Sequence, residues 1–269
     1  MRSVNLAIQF LTVIPVRIKG NVSDADIARS AAFFPVAGAL QGLILLISAV
    51  ALSRILPPDI TGGFIVAIAI VTNGGFHLDG LADTFDALAV KSSGDPATDT
   101  EKRLAVMKDS STGAIGVVAV VTLILLKFVL VKNILSFPES LTAFLVLFLM
   151  PVFSKWIMVP AMYHGLPARN DGLGKLLIGK RSPERVIIST VLTTLLFGVA
   201  LGTQLAKYYG LKGVLFFSLI PAGYLLALIS ISFFKKRFGG ITGDTLGALS
   251  ELSEIMYLTG SYIWLQHFI

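Results

Sequence analysis

The sequence predicts an all-α, polytopic membrane helix bundle of about six to seven transmembrane helices, with the N-terminus in the cytoplasm. Three observations lead there. Of the 269 residues, 55% are hydrophobic and only 14% are charged, whereas a water-soluble domain carries about 25% charged residues. Residues 30–53, 186–206 and 213–234 contain no Asp, Glu, Lys or Arg, and each can cross a hydrocarbon core of about 30 Å as a helix. Basic residues also alternate between loops. With the N-terminus inside, sixteen of the 22 fall on cytoplasmic segments and only Lys132, Lys207 and Lys212 on outer loops, as the positive-inside rule requires. The pI near 9.5 therefore reports topology, and no nucleic-acid partner is expected. The absence of cysteine excludes disulfides and thiolate metal sites.

The elements follow in order. Residues 4–16 are apolar but short, lack a small-residue cleavage site, and are followed by Arg17 and Lys19. They read as an in-plane amphipathic anchor, with Asn5, Gln9 and Thr12 as its polar stripe, and not as a cleaved signal. Ser23 with Asp26, and Thr98 with Glu101, have the spacing of capping boxes. Helices are expected over 31–56, 60–76, 113–131, 140–163, 186–206, 213–234 and a short 255–269. In the first, Gly38 and Gly42 form a small-residue face suited to close packing. Asn73-Gly74-Gly75 end the second. Lys127 is expected to snorkel outward from its span. Lys155, between Pro151 and Pro160, is a candidate for a substrate phosphate or a lipid headgroup. His164 and His267 read as packing or interfacial residues, and Lys235-Lys236-Arg237 as a topology anchor. No linker divides the chain, so residues 1–269 are read as a single integral membrane domain.

The chemistry lies in two acidic segments. The run His77-Leu78-Asp79-Gly80-Leu81-Ala82-Asp83-Thr84-Phe85-Asp86 starts a new helix after the glycine pair. On it Asp79, Asp83 and Asp86 fall within about 60° of arc, in a row about 10 Å long. Such a row repels itself unless a cation intervenes, and hard oxygen ligands suit Mg²⁺, which takes one or two carboxylates together with substrate phosphates. An ordinary solvated acidic face is the plain alternative. The second segment, Gly243-Asp244 to Glu251 with Gly247 and Ala248 between, repeats the i, i+7 spacing on the same expected side. Its small residues allow close helix approach, so the two rows can form one metal site. Between them, Arg103 to Gly116 leads into the third span. Its helix N-terminus offers free N–H groups and Lys108 adds positive charge, which suits phosphate; a cap plus a topology lysine is the alternative.

Together these segments resemble the cobalamin synthase family, the adenosylcobinamide-GDP ribazoletransferases. The resemblance rests on His77-Leu-Asp-Gly-Leu-Ala-Asp83-Thr-Phe-Asp86, on Met107-Lys108-Asp109-Ser110 with Gly113 and Gly116, and on Gly243-Asp244 through Glu251, with Phe33-Phe34-Pro35 and Gly38 in support. It departs at Ser111, where a basic residue is common. It implies a Mg²⁺-dependent enzyme of the cell (inner) membrane, its active site facing the cytoplasm. α-Ribazole or its 5′-phosphate joins adenosylcobinamide-GDP and GMP leaves. The implied metal ligands are Asp79 and Asp83, with Asp86, Asp244 and Glu251 completing the cluster. Arg103, Lys108, Asp109 and Ser110 are the implied substrate contacts, and His77 is the one acid candidate. A homo-oligomer is compatible with the sequence. The competing class is a cation-coupled transporter, since acidic residues in apolar polytopic chains often mark ion paths. Here, however, the acidic rows sit at loop–span junctions. A structural membrane subunit would leave both rows without purpose.

Overall fold

Proline and glycine set most of the helix ends. In the computed structural model, which describes residues 2–18, 20–137, 140–169, 174–179, 182–204 and 215–268, α1 (Arg2–Leu11) and α2 (Asp24–Ser30) come first. A 3₁₀ turn (Ala31–Phe33) then leads into α3 (Phe34–Leu52), which has Pro35 in its first turn, where a missing N–H costs nothing. Next come α4 (Pro58–Thr72), α5 (Phe76–Leu88), α6 (Pro96–Val106), α7 (Ala114–Leu135) and α8 (Ser140–His164). The chain continues through α9 (Gly174–Leu177), α10 (Pro183–Gln204), a second 3₁₀ turn (Leu215–Ser218), α11 (Leu219–Phe238) and α12 (Gly243–Phe268). Of the basic residues used for topology, Lys19, Lys180, Arg181, Lys207 and Lys212 lie outside the described residues, as do the ends of the expected helices at 205–206 and 213–214.

Among the described residues five helical runs are long and apolar enough to cross a membrane, and α4 with α5 forms a sixth, bent pair. This is the polytopic all-α bundle expected. Its centre is α8, of which 83% is buried against at most 22% for α7, α10 and α11. α8 packs on α3, α12, α10 and α11. The small-residue face of α3 permits this: a Cβ on Gly38 would press on the backbone of Pro151 and Val152, and one on Gly42 on that of Phe148. Many polar groups inside the bundle find partners, as an apolar surround favours. Gln41 donates to the Ala69 carbonyl at 2.9 Å and to the Thr72 hydroxyl at 2.8 Å, and Tyr257 donates to the Val146 carbonyl at 3.0 Å.

Three expectations need correction. The expected short helix 255–269 is the second half of the 26-residue α12, because the segment from Asp244 to Glu251 continues without a break. The cap of α6 is Asp95, whose carboxylate accepts from the Thr98 N–H; Pro96 in the first turn moves the helix start ahead of Thr98. Lys127 does not snorkel. It is buried and reaches inward. The Ser23–Asp26 capping box is present. α1 buries Ala7 and Leu11 against α3, and the chain just past it is tied to α4 through the Val13 N–H and the Thr72 carbonyl at 3.0 Å.

Candidate active site

The site is built where α5 crosses α12. Gly74 and Gly75 both take positive φ, +68° and +73°, which only glycine adopts freely. The Asn73 side chain accepts from the Gly75 N–H at 2.9 Å. This turn bends α5 by 87° from α4, and α5 then follows the first half of α7, with Leu78 and Leu81 packed near Leu123 and Asp86 at the Gly113 and Gly116 N–H groups. It meets α12 at glycines. A Cβ on Gly80 would stand 2.7 Å from the Asp244 carbonyl oxygen, and one on Gly247 3.2 Å from the His77 Cα. The two acidic segments, distant in sequence, thus share one site.

The start of α12 is fixed from two directions. Thr242 and Thr245 exchange backbone-to-hydroxyl hydrogen bonds of 2.9 and 3.1 Å, a reciprocal cap. A short parallel bridge joins Pro167 to Ile241, with the Ile241 N–H donating to the Leu166 carbonyl at 2.8 Å and the Ala168 N–H to the Ile241 carbonyl at 2.9 Å. That bridge delivers Arg169. Its guanidinium pairs with Asp244 at 3.5 Å and donates to the Leu104 carbonyl at 3.0 Å. Sequence reasoning missed Arg169 as a site residue, treating it as one topology charge among many.

Asp79, Asp83 and Asp244 stand close enough to repel one another. Asp83 is partly buried, with Asp79, Asp244 and Asp86 near it and Arg169 on the far side of Asp244. Among the described residues no three His, Asp or Glu side chains form a ready metal cage. The arrangement is an open acidic cluster with one arginine beside it.

The other predicted residues are placed differently. Asp86 lies at the edge of the cluster with both oxygens engaged: it accepts from the Gly113 N–H at 2.7 Å and the Gly116 N–H at 2.8 Å. The N–H groups at the start of α7 are therefore not open to phosphate; the chain's own carboxylate fills that place. Glu251 lies deeper. Lys127 donates to Glu251 at 2.5 Å and to Glu254 at 2.6 Å, and all three are buried. Lys155, wholly buried, meets neither headgroup nor open solvent. It lies 3.1 Å from Nδ1 of His77, 3.4 Å from the Ser250 hydroxyl and 3.8 Å from Glu254. Arg103 is buried beside Asp99, at 4.0 Å, and donates to the Arg237 carbonyl at 3.3 Å. Asp109 and Ser110 are exposed. The Asp109 carboxylate accepts from the Ser111 N–H and hydroxyl, which hold it below the usual carboxylate range.

Two cavities flank the cluster. One of about 700 Å³ is lined by Thr100, Glu101, Lys108 and Arg169 with alanine and leucine side chains. The other, of about 450 Å³, runs from Phe10, Phe34 and Met162 to His77, Asp79 and Asp244.

Residues 3–262 match the family model described as cobalamin-5-phosphate synthase. The chain belongs to the cobalamin-5-phosphate synthase family. Curated relatives agree along nearly the whole length. A protein of Thermodesulfovibrio yellowstonii named adenosylcobinamide-GDP ribazoletransferase is 38% identical over 268 residues, covering 97% of this chain and 98% of the relative. Proteins of the same name from Desulfitobacterium hafniense and Geotalea daltonii are 34% and 33% identical, covering 97% and 94% of this chain and equal shares of their own. No solved structure matches. Members of the cobalamin-5-phosphate synthase family are thus the frame for the acidic cluster, and a transporter is not.

Proposed function

We propose that this multi-pass membrane protein joins α-ribazole, or its 5′-phosphate, to adenosylcobinamide-GDP and releases GMP, at the cytoplasmic face of the cell membrane and with Mg²⁺. The convergence of the 77–88 and 243–251 segments between two cavities carries the reading beyond family membership. In the reaction a ribose hydroxyl oxygen bonds to the phosphorus attached to the corrinoid's aminopropanol arm. The bond from that phosphorus to the GMP oxygen breaks, and the hydroxyl proton passes to a carboxylate of the cluster. GMP departs as a phosphate monoester and needs no strong acid, so positioning and charge neutralisation dominate.

The donor set fits a hard divalent ion. Asp79 and Asp83 would hold it, with Asp244 opposite, because Mg²⁺ uses one or two carboxylates plus substrate oxygens and not a full protein cage. Asp79, Asp83 and Asp244 gather there, and among the described residues Arg169 is the cation paired with them, at Asp244, a surplus of negative charge that a divalent ion would offset. Bound there, the ion supplies neutralisation of the pyrophosphate. Arg169 adds a fixed cation on the opposite side, and His77 lines the wall next to Asp79. The buried Lys127, Glu251, Glu254 and Lys155 neutralise one another and supply no ion path.

The test is GMP release by detergent-purified protein given both substrates. Asp79→Asn and Asp83→Asn should each lose most turnover and the response to Mg²⁺ while inserting and folding normally. Turnover near wild type in both, or ion flux in vesicles without GMP release, would refute the assignment.

A further inference from the structure

We infer that the two cavities divide the substrates: the 450 Å³ cavity receives the flat aromatic base of α-ribazole, and the 700 Å³ cavity the nucleotide end of adenosylcobinamide-GDP. This rests on the proposed activity and adds to it where each substrate sits.

The smaller cavity has a mixed lining, in which Phe10, Phe34, Phe76 and Met162 stand with the carboxylates of Asp79 and Asp244. An uncharged bicyclic base stacks on aromatic faces and thioethers without a desolvation cost. Its ribose hydroxyls then reach the carboxylates, where one of them must lose a proton. The size agrees, since a single nucleoside fits a pocket near the small end of the usual 300–1,000 Å³ range and a corrinoid nucleotide does not.

The larger cavity has the opposite character. Lys108 and Arg169 line it together with the carboxylate of Glu101, so cations outnumber acids there, and Arg169 carries a buried Nε with no hydrogen-bond partner, a donor left for an anionic ligand. The partition between the cavities is narrow. Asp244 lines the smaller one, Arg169 lines the larger, and the two are joined by an ion pair of 3.5 Å. A hydroxyl arriving from one side and a phosphorus from the other meet there, beside Asp79. Only this division brings the attacking oxygen to the carboxylates and the pyrophosphate to the cations at once.

The experiment is equilibrium binding of α-ribazole and of GMP, as probe for the nucleotide end, to purified protein with Mg²⁺. Met162→Trp fills the smaller cavity, and Phe10→Ala removes a partly exposed wall. Each should weaken α-ribazole about tenfold, the scale of one base–aromatic contact, and leave GMP within twofold. Ala105→Trp, filling the larger cavity, should do the reverse. If Met162→Trp fails to fold, Phe10→Ala decides alone. Unchanged α-ribazole affinity in Phe10→Ala and in any folded Met162→Trp, or loss of GMP in its place, would overturn the division while leaving wild-type turnover to stand for the activity. Wild-type protein that binds neither ligand and releases no GMP overturns the activity and the division together.

Discussion

Replacing Lys127 by Met, which keeps the length of the side chain and removes its charge, should cost about 4 kcal/mol of stability. Lys127 holds Glu251 at 2.5 Å and Glu254 at 2.6 Å, and all three side chains are at most 4% exposed. Without it, the cation left beside the pair among the described residues is Lys155, 3.8 Å from Glu254 and in no ion pair with Glu251. One carboxylate must then stay charged and unpaired in an apolar surround or take up a proton. Neutralising an ordinary glutamate at pH 7 costs about 3.7 kcal/mol, and breaking a buried pair typically costs about 3–5 kcal/mol. The two figures agree because the cheaper escape sets the loss. Removing the orphaned charge as well should recover most of it: Lys127→Met with Glu251→Gln leaves Glu254 to Lys155 and should lie within about 2 kcal/mol of wild type. Unfolding in mixed dodecyl maltoside–SDS micelles measures both. A loss under about 1 kcal/mol in the single variant, or a double variant no more stable than the single, would refute the view that this network is a closed charge balance.

Other outcomes can be stated briefly. Gly80→Val drives a side chain into the Asp244 backbone, so GMP release should fall about a hundredfold with insertion unchanged. Arg169→Met should weaken GMP binding more than tenfold, whereas a purely structural arginine would lower the melting point and leave affinity alone. Reporters fused after Ser93 should read cytoplasmic and those after Ser136 outside; the opposite pattern would place the cluster away from cytoplasmic nucleotides.

What could be read in advance was set by local rules. Most of the span positions within the described residues, the glycine face on α3 and the helix end at Asn73-Gly74-Gly75 follow from residue type and spacing, and the structure keeps them. The close approach of the second acidic helix was legible through Gly247 and Ala248, whereas the part played by Gly80 shows only in the structure. Less legible were the partners of each charge. Asp86 and Asp83 look alike on a helical wheel, but only Asp86 lies over the start of α7, and no periodicity shows that. Glu251 matched Asp244 in spacing, yet two turns along α12 carry it from the cluster to Lys127. A sharper signal was available there. Two lysines within apolar spans and two glutamates three apart on one helix are four costly charges, and the membrane interior makes them find one another.

That closed set of charges bears on the order in which the protein is made. Translation delivers α7 to the membrane more than a hundred residues before α12, so Lys127 enters without either of its carboxylates, which lie 124 and 127 positions further on. Its long methylene stem lets the ammonium reach toward the interface in the meantime. α12 is not among the helices apolar enough to cross unaided. Its glutamates are matched by lysines of α7 and α8, and the same packing of α12 that balances Lys127 sets Asp244 against α5 at Gly80.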